Sequence, residues 1–134
     1  MRQIEITGHE TAQQVSDAFN SHFEYLKLQF FIKSHEANAP SARKEMIDSG
    51  TVTGKMHGFL RPGVIRIDPS MHVSDFEQEF HDLFGLNVQV FRKSGGLWLE
   101  TSVTDHMTLK EQNALGREKS FPVGKEDTSD FDYE

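Results

Sequence analysis

Between Leu86 and Val103 the chain alternates apolar and polar residues twice. The two runs are broken by Ser94-Gly95-Gly96, where a turn needs small residues that tolerate positive φ. No other stretch restricts the fold as much, and it reads as a β-hairpin. With Ser94 and Gly95 as a two-residue loop, Lys93 pairs with Gly96 and Arg92 with Leu97. Val90 then faces Leu99, and Phe91 stands opposite Trp98. Leu86, Val88, Val90, Leu97, Leu99, Thr101 and Val103 share one face, which is a core face. Asn87, Gln89, Phe91, Lys93, Trp98 and Glu100 share the other, which is polar except for its two large aromatics.

The remaining elements follow from the same periodicities. Gln3 to Thr7 is a short strand with Ile4 and Ile6 on one side. Thr11-Ala-Gln-Gln14 has the spacing of a capping box and opens a helix to about Phe23, with Ala12, Val15, Phe19 and Phe23 as its apolar stripe. Leu26 to Lys33 is a strand: Leu26, Leu28, Phe30 and Ile32 point one way, Lys27, Gln29, Phe31 and Lys33 the other. Residues 34–43 form a long loop, a candidate binding loop. Lys44 to Asp48 is a short return strand, and Thr51 to His57 forms one or two helical turns weakened by Gly54. Gly58-Phe-Leu-Arg-Pro-Gly63 is the boundary between the halves, because Pro62 and Gly63 break both helix and strand. Val64 to Asp68 is a strand, Ser74-Asp-Phe-Glu77 a second capping box, and the following helix carries Val73, Phe76, Phe80, Leu83 and Phe84 on one stripe. Gly85 fits the left-handed position that ends a helix. After the hairpin, Thr108-Leu-Lys-Glu111 is a third capping box, and a short helix runs to Gly116.

The two halves resemble one another. Phe19, Phe23, Leu26, Leu28 and Phe31-x-Lys33-Ser34 run parallel to Phe80, Phe84, Leu86, Val88 and Phe91-x-Lys93-Ser94, and Asp48 with Thr51-Val52 echoes Asp105 with Thr108-Leu109. The offset drifts from 61 to 60 to 57 residues. The expected fold is therefore α+β: a two-layer sandwich built by tandem duplication of a βαββα unit. Residues 1–60 are the first half, 61–118 the second and 119–134 an acidic tail expected to be disordered. Right-handed βαβ crossovers would place both long helices on one sheet face. The other face would stay open and present Phe31, Phe91 and Trp98, framed by Lys27, Gln29, Lys33, Gln89, Lys93 and Glu100.

Composition removes several classes of function. The 134 residues contain no Cys, which excludes disulfides, thiolate catalysis and Cys-ligated zinc and fits a reducing cytoplasm. A formal charge of -7 disfavours nucleic acid, whose phosphate backbone calls for clustered Lys and Arg. No run of 18 apolar residues is present and the N-terminus lacks an apolar signal core, so neither a membrane span nor a secretory signal is expected. There is no GxSxG elbow, P-loop, dinucleotide glycine pattern or HExxH, and the seven histidines are scattered. No catalytic residue, metal ligand or cofactor is assigned.

The run from Phe91 to Asn113, with its FRKSG, WLET and T-L-x-E-Q-N segments, resembles small uncharacterised bacterial proteins that share these segments after a Phe-rich helix. The resemblance implies a bacterial cytoplasmic protein; it implies no activity and no functional residue. The residues themselves point to a non-enzymatic interaction module. It would bind a protein or peptide, or a second copy of itself, through an open face at Phe31, Phe91, Lys93, Trp98 and Glu100. The alternative is a small-molecule or metal-dependent enzyme with a site between the halves, around the 34–43 loop.

Overall fold

The computed structural model describes residues 2–32 and 45–120. Along the chain these form β1 (Gln3–Ile6), α1 (Ala12–His22), β2 (Leu26–Phe31), β3 (Gly63–Arg66), α2 (Val73–Phe84), β4 (Asn87–Ser94), β5 (Leu97–Glu100) and α3 (Leu109–Ser120). The architecture is an α+β sandwich with helices packed on two antiparallel sheets. One sheet has the order β1-β3, the other β2-β4-β5.

Strands of the two halves pair with each other. Ile4 stands opposite Ile65 in β1-β3, and Leu28 opposite Val90 in β2-β4. β1 and β2 thus lie in different sheets and form no βαβ crossover, contrary to the expectation above. The halves at 1–60 and 61–118 also share one core. Phe19 of α1 lies 5.1 Å from Phe76 of α2, ring centre to ring centre, and Phe30 of β2 meets Phe80 of α2 edge-on at 5.8 Å. Phe80 in turn packs on Phe84 at 5.0 Å. All five rings are fully buried, and each such pair adds roughly 0.5–1.5 kcal/mol beyond the area it hides.

The local signals act largely as read. Thr11 and Gln14 exchange both capping-box bonds, and Thr108 and Glu111 do the same at α3. Gly85 ends α2 at φ +74. Its backbone lies against that of Gly58: a Cβ on Gly85 would come within 2.0 Å of the Gly58 carbonyl oxygen, so no side chain fits. Three local expectations need correction. The second capping box does not form. α2 starts at Val73 behind His72, which places Ser74 inside the first turn, and the Glu77 carboxylate instead accepts the Val90 N–H at 2.8 Å. α3 continues a turn past Gly116 to Ser120, because Gly116 faces inward; a Cβ there would lie 2.7 Å from the Tyr25 Cβ. The hairpin loop is Gly95-Gly96, not Ser94-Gly95, so Ser94 pairs with Leu97, Lys93 with Trp98 and Phe91 with Glu100. Gly95 has φ +60, which the first position of a primed hairpin turn requires and which Ser would resist.

The halves also make matching hydrogen bonds outside their strands. Ala12 N–H donates to Thr51 O and Val73 N–H to Met107 O, both at 2.9 Å; Gly54 N–H donates to Gly8 O and Lys110 N–H to Pro69 O, again both at 2.9 Å. The isolated bridges Thr11–Val52 and His72–Thr108 correspond in the same way.

Candidate functional site

The alternation read from the sequence assigns side chains to the correct sheet faces, but it does not say which face is covered. Phe31 is 3% exposed and Gln89 is fully buried, so that end of the expected open face is closed. The backbone of residues 45–47 runs beside β2 there: Ile32 N–H donates to Glu45 O and Ile47 N–H to Phe30 O, both at 2.8 Å. Phe31 is therefore removed from the candidate surface. The 34–43 loop and Lys33 lie outside the described residues.

Phe91, Lys93, Trp98 and Glu100 do come together, each half-buried. Their arrangement differs from the expected aromatic pair. Lys27 sits over both rings, with its ammonium 4.9 Å from the indole and 5.8 Å from the Phe91 ring centre. Burial lowers the pKa of this lysine, and the ring faces compensate its cation for part of the lost water. The aromatic face thus carries its own occupant.

The exposed apolar surface lies instead at the rim of the same strand. Leu97 is 67% exposed, Leu99 39% and Val103 74%. The sequence places these residues on a core face. The structure corrects this, because the helices pack on β2 and β4 while β5 overhangs them. Thr101 alone of that outer set is buried, its hydroxyl donating to Val90 O at 2.9 Å. Among the described strands, none pairs with the outer side of β5. In a two-residue hairpin the flanking pair, Ser94 and Leu97, is hydrogen-bonded. The backbone groups of Leu97 and Leu99 therefore point to β4, and those of Trp98 point outward.

A second feature escaped the sequence reading. A cleft of about 480 Å³ lies where the first and second halves meet, lined by Arg2, His22, Phe23, Pro69, Lys110, Asn113, Ala114 and Arg117. The last four form one stripe of α3. Their i, i+3, i+4, i+7 spacing is visible in the sequence, but the approach of Arg2 and His22 is not. Arg2 is held against the wall by the Phe23 ring, with its guanidinium carbon 5.3 Å from the ring centre. Asn113 is oriented by its Oδ1, which accepts the Tyr25 N–H at 2.9 Å. An adjoining hollow of about 450 Å³ shares Arg2 and Pro69 and adds Arg66 and Asp68. Among the described residues, no three of His, Asp and Glu gather as metal ligands would, and no helix is long and apolar enough to cross a membrane. No protein-family model, no curated protein and no solved structure matches the chain.

Proposed function

We propose that the chain is a non-enzymatic interaction module that docks through the outer edge of β5, and that its partner is a second copy of itself. The observation that carries this reading is an edge strand with Leu97 and Leu99 exposed on one face and the half-buried Trp98, beside Lys27, on the other. An exposed apolar edge is a template for another strand unless something blocks it. The pattern of β5 is self-complementary. If two copies pair antiparallel about Trp98, the outward backbone groups of each Trp98 meet as a hydrogen-bonded pair. The indoles then adjoin on one face, while Leu97 of each copy opposes Leu99 of the other on the second face. A four-residue strand buries little area, so the affinity rests on the indoles and leucines, and a Kd on the order of 10–100 µM is expected.

Sedimentation velocity over about a hundredfold range of concentration tests the proposal. The expected result is a reversible monomer–dimer equilibrium that Trp98→Ala and Leu97→Lys each abolish while far-UV circular dichroism is unchanged. A protein that stays monomeric throughout, or a dimer indifferent to both substitutions, overturns it.

We also infer that the two halves descend from one repeated unit. The hydrogen bonds matched at offsets of 61 and 56 residues support this inference.

A further inference from the structure

We infer that the cleft between β1, the end of α1 and α3 binds a small polyanion carrying phosphate or carboxylate groups. Three exposed cations, Arg2, Lys110 and Arg117, line it with His22, and no carboxylate does. Among the described residues, none of these cations has an ion-pair partner. Gathering unpaired positive charges costs Coulomb energy, and it is unexpected in a chain of net charge -7, where carboxylates outnumber cations. An anion in the cleft would recover that energy.

The cleft is also built rather than incidental. The N-terminal end of α3 is tied to the β3–α2 turn, since Lys110 N–H donates to Pro69 O at 2.9 Å. The Asn113 side chain is fixed through its oxygen, which leaves the Nδ2 hydrogens available as donors at the cleft wall. Arg2 is braced on Phe23. Volume sets the ligand class: about 480 Å³ lies within the roughly 300–1,000 Å³ typical of small-molecule sites. Lys110 and Arg117 are two turns apart on α3, about 10 Å along its axis, so the best ligand carries at least two separated anionic groups. The cleft shares no residue with β5, so anion binding and self-association are independent.

The test is titration of the full chain with tripolyphosphate, citrate and a single-stranded oligonucleotide, followed by amide chemical shifts and calorimetry. Saturable binding of tripolyphosphate or citrate is expected, with shifts centred on Arg2, Lys110, Asn113 and Arg117. The better of the two probes identifies phosphate or carboxylate as the preferred group. K110E/R117E should weaken binding at least tenfold, and K110Q/R117Q should do so to a smaller extent, with the fold intact by circular dichroism in both. Shifts that do not saturate, or affinity unchanged in K110E/R117E, overturn the site. An oligonucleotide that binds more tightly than tripolyphosphate at equal salt replaces the small ligand with a nucleic acid.

Discussion

Gln29 of β2 stands directly opposite Gln89 of β4, sixty positions further on, which is the offset at which the strands of the two halves match. Beside them Leu28 faces Val90, and the N–H groups of these two residues are both taken by helix side chains. Leu28 N–H donates to Ser16 Oγ at 3.1 Å and Val90 N–H to Glu77 Oε2 at 2.8 Å. Ser16 and Glu77 occupy equivalent places, 61 residues apart, and both are buried. The central strand pair is thus finished on both sides by one buried polar side chain from each long helix.

Removal of the Glu77 acceptor should be costly, because it strands a buried N–H. Glu77→Ala is expected to lower stability by about 1–3 kcal/mol in urea unfolding, with faster hydrogen exchange at the Val90 amide. Glu77→Gln keeps an acceptor oxygen and should lose less. Equal stability of Glu77→Ala and wild type would show that the contact is dispensable.

Gly85→Ala should destabilise by more than about 1 kcal/mol, since it adds a Cβ against the Gly58 carbonyl and sets Ala at positive φ. Gly96→Ala is the control. Nothing lies within 4 Å of its added Cβ and its φ is not positive, so its melting temperature should stay close to wild type.

Lys27→Met removes the cation over Trp98 while keeping an unbranched side chain only one atom shorter. The sole indole should report it as a changed emission maximum and altered quenching by iodide, with Phe91→Leu as a weaker echo. An unchanged spectrum would mean that the ammonium does not hold its place over the ring.

Glu10 supplies a pH-dependent contribution. Partial burial raises its pKa, but the Thr7 hydroxyl and N–H and the Gly8 N–H donate to the carboxylate, and the net shift is downward from 4.5. A depressed carboxylate stabilises the fold above its unfolded pKa, and that stability is lost as pH falls through the folded value. Glu10→Gln should therefore flatten the decline of thermal stability below about pH 4.5, and a decline identical to wild type would count against the assignment.

Where a local signal carries the information, it was readable. The boxes at Thr11 and Thr108, the stop at Gly85 and the apolar stripes of α1 and α2 each depend on residues within a turn or two. The face of every strand residue was likewise readable, because alternation is local. Coverage of those faces was not. Alternation puts Phe31 on the open face and Leu99 on the core face, yet Phe31 is hidden beside residues 45–47 and Leu99 overhangs the helices. The hairpin register turned on which of two adjacent small residues takes positive φ, and the pattern of Ser94-Gly95-Gly96 permits both. Of the anion cleft, only the stripe Lys110-Asn113-Arg117 was visible; Arg2 reaches it through the pairing of β1 with β3.

Apart from the hairpin, the strand pairs named among the described residues join positions 56 to 66 apart. Among the described residues, β1 and β2 each find their partner strand only in the second half, and Phe19 of α1 meets Phe76 only once α2 has been made. Such distant closures slow the search for the native state.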